Sequence, residues 1–279
     1  MPFELTPFYI VFLPLLGVFA GTLGALVGLG GGFILIPILI VLFPEDSTAT
    51  IISISLVMVF MNAASATFSN IRARRIDLRT ALIMMTGAMP AAFLGSIASG
   101  NVSRGDFQAA FGGLLIIGAV YILWKSTRIA HDMDQQHEPN REIRESGGSI
   151  YRFYVNGLLA WIISPIAGFA SSFFGIGGGV VHMPALIYII RIPTRIASAT
   201  TLAVLIPTAF IGVLTHILAG QFNDGWSRAG LLGLGALLGG QLGVYLAKRV
   251  NQRVVLFILS LGLGAVGIRQ LLANLSSFS

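Results

Sequence analysis

The stretch Gly28-Leu29-Gly30-Gly31-Gly32-Phe33-Ile34-Leu35-Ile36-Pro37 returns as Gly175-Ile176-Gly177-Gly178-Gly179-Val180-Val181-His182-Met183-Pro184. Glycine holds the same four places in both copies, and proline closes each one. Three glycines in a row are poor helix material, at about 1 kcal/mol each against alanine, and they permit positive φ. The chain is therefore expected to break at both runs and to resume as short helices over 33–43 and 180–190. The first N–H groups of such a helix are unpaired and carry the positive end of its dipole. Neither run is a Walker loop, which needs Lys and Ser/Thr after the glycines. Neither fits Gly-x-Gly-x-x-Gly, because Phe33 and Val180 stand at the last place.

Outward from these runs the chain is apolar. Of 279 residues, 55% are hydrophobic and 10% charged, where a soluble domain carries about a quarter charged. The charges cluster, leaving apolar runs of about 18 to 24 residues, enough to span about 30 Å of hydrocarbon as helix. These runs do not alternate as barrel strands must. A polytopic helical bundle in the lipid bilayer is expected. The pI near 10.2 reflects basic residues flanking spans, so no nucleic-acid partner is expected. The absence of cysteine removes disulfides, thiolate metal sites and cysteine nucleophiles. Met1 to Phe12 has no basic residue ahead of its apolar stretch, so the first helix is expected to be retained rather than cleaved as a signal peptide.

Long helices are expected over 8–27, 48–71, 80–99 and 107–124, then over 153–174, 196–219, 229–247 and 254–273. The polar stretch 125–152 divides a first repeat, 1–124, from a second, 153–279. Matched pairs keep a near-constant offset: Gly28 with Gly175, Pro37 with Pro184, Ser55 with Thr201, Asn62 with Thr208, Gly95 with Gly243. The duplication is read as real. If the loop bearing Arg72, Arg74, Arg75 and Arg79 is cytoplasmic, the linker joins it there. So do Arg191, Arg195, Lys248, Arg249 and Arg253, and only Arg104, Arg228 and Arg269 fall outside. The first short segment then ends outside at Glu45 and Asp46, and the second ends inside, so the repeats are inverted. Each repeat comprises four long helices and one half-helix, with both chain termini outside and each half-helix turning back in mid-membrane. Pro14 and Pro165 would allow the preceding helices to break as well.

Two inverted half-helices aim their N-termini at a common midplane, an anion site made without a charged side chain. Gly30, Gly31, Gly32, Gly177, Gly178 and Gly179 are its expected backbone. Ser55, Asn62 and Ser69 share one helix face, as do Thr201, Thr208 and Thr215. Ser55, Asn62, Thr201 and Thr208, nearest the glycine runs in the repeat, are the preferred ligands, with Thr200 beside them. The competing readings are that such glycines serve helix packing, as at Gly17 and Gly21, and that the hydroxyls bond their own helix. His182 and His216 are the ionisable side chains placed within the hydrocarbon, candidates for proton coupling or else neutral hydrogen-bonding groups. His131 and His137 are expected to be solvated, and no metal or cofactor site is expected.

The two glycine-to-proline runs, with Ser53-Ile54-Ser55-Leu56 and Ala199-Thr200-Thr201-Leu202 after them, make the chain resemble the sulfite exporter (TauE/SafE) permeases over nearly its whole length. The resemblance implies a bacterial inner-membrane transporter for sulfite, sulfonates or related sulfur-containing anions. A secondary transporter working by alternating access is the expected function. A passive anion channel is the alternative, for which the same helix ends would serve. A membrane-embedded enzyme is disfavoured, since no Ser/His/Asp, paired-carboxylate or His-Glu-x-x-His arrangement lies in a span. A scaffold would leave the glycine runs without a task. The sequence carries no signature of oligomeric state.

Overall fold

The computed structural model describes residues 6–100, 102–126, 138–247, 249–250 and 252–276. Ten helices follow in order: α1 (Pro7–Val27), α2 (Gly32–Leu42), α3 (Thr48–Arg72), α4 (Leu78–Ser99), α5 (Arg104–Ser126), α6 (Gly157–Phe174), α7 (Gly179–Pro184), α8 (Thr194–Leu218), α9 (Trp226–Leu246) and α10 (Gln252–Ser276). Among the described residues seven helices are long and apolar enough to cross a membrane. The protein is an all-α polytopic membrane protein. Phe19, Ile117, Ile166 and Leu238 stand exposed on the outside of the bundle, where acyl chains rather than water would meet them.

Side-chain caps set several helix starts. Ser47, Asp77 and Asn156 each accept a hydrogen bond from the backbone N–H three residues on, at Thr50, Thr80 and Leu159. The Asn156 cap explains why α6 begins at Gly157 and not at residue 153. Phe153 instead ends a strand. Both α1 and α6 run unbroken through Pro14 and Pro165, so each half has a single break, at its glycine run. The second half-helix departs from the first, since α7 continues past Pro184 as a π-helical turn, Ala185–Ile189.

The bundle keeps its packing when its two halves are exchanged. Helix α1 lies along α9 as α6 lies along α4, α3 packs on α9 as α8 packs on α4, and α3 meets α8 as α5 meets α10. Small residues make the close pairs. A methyl group added at Gly235, Gly239 or Gly243 would meet the carbonyl oxygen of Pro14, Val18 or Thr22 in turn, so α1 and α9 run parallel. Methyl groups at Gly17 and Gly21 would meet α9 in return, which assigns these two glycines to helix packing. On the other side Ser164 donates to the Met84 carbonyl at 2.7 Å, and Gly168 abuts Ala88. Helix α2 folds back beside α1, with the ring of Phe43 5.8 Å from that of Tyr9. The beginning of α1 and the end of α2 therefore share one end of the bundle.

Within the polar linker the chain forms a hairpin, β1 (Arg141–Arg144) and β2 (Ile150–Phe153), with Arg141 opposite Phe153 and Arg144 opposite Ile150. Glu142 sits exposed on it, held below the usual carboxylate range by hydrogen bonds from Arg144 and Arg152. His131 and His137 lie outside the described residues. The hairpin tip docks on the α3–α4 loop, where Ser146 donates from N to the Ala73 carbonyl at 3.1 Å and from Oγ to the Arg72 carbonyl at 2.9 Å.

Candidate functional site

The two glycine runs face each other. A methyl group at Gly32 would lie 2.5 Å from the Gly175 oxygen and 2.8 Å from the Ile176 Cα. Its counterpart at Gly179 would meet the Gly28 oxygen at 2.8 Å and the Leu29 backbone. Only hydrogen on Cα permits this approach, and it occurs twice in mirrored roles. Gly31 and Gly178 are the residues just before α2 and α7, both left-handed at φ 90 and 68, a region costly for any side chain. The N–H groups of Gly31, Gly32 and Phe33, and of Gly178, Gly179 and Val180, are donated to no backbone carbonyl. Two sets of free donors, each at the positive end of a short helix, are thus brought together in the buried middle of the chain.

The expected polar ligands divide by what their side chains already hold. Ser55 Oγ donates to the Gly175 carbonyl at 2.7 Å, and Asn62 Nδ2 to the Gly30 carbonyl at 3.0 Å. Both steady a glycine run from α3, one in each half. Asn62 Oδ1 and Thr201 Oγ1 are buried without a hydrogen-bond partner. Thr208 is committed to its own helix, donating to Val204 and Leu205 carbonyls at 3.0 and 3.1 Å. Thr200 Oγ1 accepts from the Asp77 N–H at 3.1 Å, tying α8 to the start of α4. Along the α3 face Ser69 meets Gln241 and leaves the glycine runs.

Both intramembrane histidines are fully buried. The Ser164 backbone carbonyl lies near the His182 imidazole without completing a hydrogen bond of good geometry. His216 Nδ1 meets Gln221 Oε1, and its Nε2 is unpartnered. Among the described residues no group of three His, Asp or Glu could hold a metal ion.

Several residues at the site were not anticipated. Ser171 and Ser172 end α6 just before the second run with buried, unpartnered hydroxyls, and Ser171 lines the space a Gly178 side chain would need. Their repeat mates are Gly24 and Ala25, so a polar-versus-small mismatch between the repeats was the available signal. Ser198 touches Gly28, its Oγ 2.6 Å from where a methyl group would sit. Val59 approaches both Gly30 and Gly177, and closes the space between the runs together with Leu205.

The two ends of the bundle differ. At the arginine-bearing end a cavity of about 780 Å³ opens, lined by Ser69, Arg72, Arg75, Glu145, Arg195 and Gln241 among others. At the opposite end Thr50 donates to the Gln221 carbonyl at 3.0 Å and accepts from Asn223 Nδ2 at 3.0 Å. Arg228 of α9 pairs there with Asp46. Arg104 of α5 donates to the Ile40 carbonyl at 2.6 Å and to that of Pro44, satisfying the C-terminal end of α2. Two of the three basic residues expected on the outer side are thus engaged at that end.

The family profile described as Sulfite exporter TauE/SafE matches residues 13–270. The probable membrane transporter protein YunE of Bacillus subtilis is 27% identical over 92% of this chain and 95% of its own. A probable membrane transporter protein of Methanocaldococcus jannaschii is 26% identical over 95% and 97%, and one of Xylella fastidiosa 26% over 81% and 80%. No solved structure matches.

Proposed function

We propose that this chain, which belongs to the sulfite exporter TauE/SafE family of membrane transporters, is a secondary transporter of sulfite, an organosulfonate or a related sulfur-containing anion. The carrying observation is the face-to-face contact of the two glycine runs, with their free N–H groups at the starts of α2 and α7. Backbone donors and helix dipoles suit an anion and leave the site electrically neutral when empty. Asn62 and Ser55 bring polar atoms to the same place, Thr201 offers a buried hydroxyl without a hydrogen-bond partner from α8, and Thr200 and Thr208 support that helix. Alternating access is favoured over a passive channel because one end is open to a large cavity while the other is tied shut. Uptake of labelled sulfite, sulfate, thiosulfate and a sulfonate into reconstituted vesicles tests this. Saturable flux of one or more of them is expected, and flux rising linearly without saturation would point to a channel.

The same reading makes the repeats inverted, with 1–124 and 153–279 joined by the cytoplasmic linker 125–152, in a bacterial inner membrane with both termini outside. The directions in which the helices pack agree with it, since α1 runs with α9 while α2 turns back beside α1. The chain lacks cysteine, so single cysteines at exposed Glu45, Asn223, Arg74 and Arg249 can be labelled without background. Glu45 and Asn223 should react from outside, Arg74 and Arg249 only after permeabilisation. Reaction of Glu45 and Arg249 from one side would overturn the inversion.

Energy coupling runs without a protein carboxylate. The acidic residues Glu45, Asp46, Asp77, Asp106 and Asp224 stand at or beyond helix ends, and a weakly acidic oxyanion can carry its own proton. The double change His182→Gln and His216→Gln should keep anion transport, with a pH profile that follows ionisation of the substrate. A double variant that binds substrate but ignores a proton gradient would assign the coupling to histidine.

A further inference from the structure

A second space of about 10 Å³, room for no more than a water molecule, shares Arg75, Arg195 and Val244 with the cavity at the arginine-bearing end and adds Asn70 and Ser198, and Ser198 is the side chain in contact with Gly28. An anion entering the cavity meets three arginines, Arg72, Arg75 and Arg195; Arg72 stacks on the Phe68 ring, and the Arg75 guanidinium is occupied by a carboxylate. Arg75, 5% exposed, donates from Nε to Oε1 of Glu145 at 2.6 Å and from Nη2 to the same oxygen. Tyr151 donates to the other oxygen of Glu145 at 3.4 Å. Arg195 forms no ion pair among the described residues.

The carboxylate that fills this place belongs to no membrane helix. Glu145 stands at the tip of the linker hairpin, its N–H bonded to the Ser149 carbonyl at 2.9 Å across the turn. Apart from the Arg75 pair, the tip is held on the α3–α4 loop by the two neutral hydrogen bonds of Ser146, while lower on the hairpin Arg141 Nε lies 3.5 Å from Asp77. A guanidinium accepts a carboxylate, a sulfite or a sulfonate with the same fork of donors and the same charge. Stripping a buried guanidinium of its anion is costly, whereas exchanging one oxyanion for another keeps the guanidinium both paired and hydrogen-bonded.

We propose that Arg75 and Arg195 form a receiving site for a small oxyanion, and that Glu145 is its tethered occupant, released when the substrate takes its place. This rests on the transport reading above and adds to it where the anion first binds. Release of Glu145 frees the hairpin tip that lines the cavity, and it happens only when an anion is present to replace the carboxylate.

Calorimetric titration of the full-length protein in uncharged detergent, with sulfate and with methanesulfonate at fixed ionic strength, tests the proposal. Glu145→Gln should tighten binding roughly tenfold or more, the worth of one charge-assisted hydrogen bond returned to the ligand. Adding Arg75→Gln or Arg195→Gln should abolish that gain, and Arg75→Lys, which keeps the charge without the fork, should retain part of it. Unchanged affinity in Glu145→Gln, or a full gain that survives Arg75→Gln, overturns the proposal. Repeating the titrations in a Gly179→Ala background separates this from the transport reading. The receiving site should keep its gain there, whether or not transport depends on the glycine contact.

Discussion

Gly179→Ala is expected to silence anion transport, and Gly230→Ala to leave it intact. The added methyl group at 179 meets the Gly28 oxygen at 2.8 Å and the Leu29 backbone, atoms that cannot swing aside as a flexible side chain could. The two runs must separate, which on the transport reading disperses the donors at the starts of α2 and α7. Overpacking of this kind costs about 1–3 kcal/mol of stability, so protein is expected to insert and be recovered while flux per inserted molecule collapses. Gly32→Ala repeats the experiment from the other half, where the obstacles are the Gly175 oxygen at 2.5 Å and the Ile176 Cα at 2.8 Å. Leucine at Gly31 or Gly178 adds left-handed strain of about 1–2 kcal/mol and should be at least as severe. Nothing lies within 4 Å of a methyl group at Gly230, so alanine there reports only helix propensity, a gain of up to about 1 kcal/mol. Flux in reconstituted vesicles, normalised to inserted protein, is the measurement. Wild-type flux in Gly179→Ala and Gly32→Ala would mean that the contact serves packing alone.

The breaks at these glycines were legible because each run sets three glycines in a row after a fourth and the repeat doubled the signal, whereas the pairs Gly112-Gly113 and Gly239-Gly240 stay within α5 and α9. A shared midplane for the runs was expected, but the contact of Gly32 with Gly175 and of Gly179 with Gly28 was not legible, since it depends on how two halves separated by 147 positions dock. The seven-residue spacing of Ser55, Asn62 and Ser69 says nothing of their partners. Ser55 and Asn62 reach glycine carbonyls while Ser69 meets Gln241. Thr208 illustrates the limit from the other side, because a hydroxyl in a helix always has its own carbonyls within reach. The hairpin was hidden by composition. Arg141-Glu142-Ile143-Arg144 and Ile150-Tyr151-Arg152-Phe153 flank Gly147-Gly148, a turn signal between two short alternating runs, but their charge reads first as a linker. The same charge drew attention away from Glu145, whose partner Arg75 lies 70 positions earlier in the chain.

Asp46→Ala is expected to lower the stability of the folded protein by about 3 kcal/mol, near the lower end of what removing one partner of a buried ion pair costs. Arg228 is 2% exposed and lies in the first turn of α9, where its guanidinium reaches both oxygens of Asp46 and stacks 4.5 Å above the Phe43 ring. Without the carboxylate the cation stays buried, because the α9 backbone fixes where it begins. Asp46 keeps about a fifth of its side chain exposed, so water already reaches one side of the pair, which places the cost at the low end. The opposite change, Arg228→Met, should cost less, since the freed carboxylate can turn to solvent and the methionine fills the apolar space beside Phe43. Asp46→Leu combined with Arg228→Met should then recover most of the stability lost in Asp46→Ala, as replacement of a buried pair by apolar side chains commonly does. Thermal unfolding of the three variants in one detergent gives the order directly. The pair joins the chain just beyond α2 to α9, and from α5 Arg104 holds the Ile40 carbonyl of α2 and the Pro44 carbonyl just beyond it. If Asp46→Ala melts with wild type and the double variant is the least stable of the three, the end opposite the arginines is held by packing and this ion pair contributes nothing to its closure.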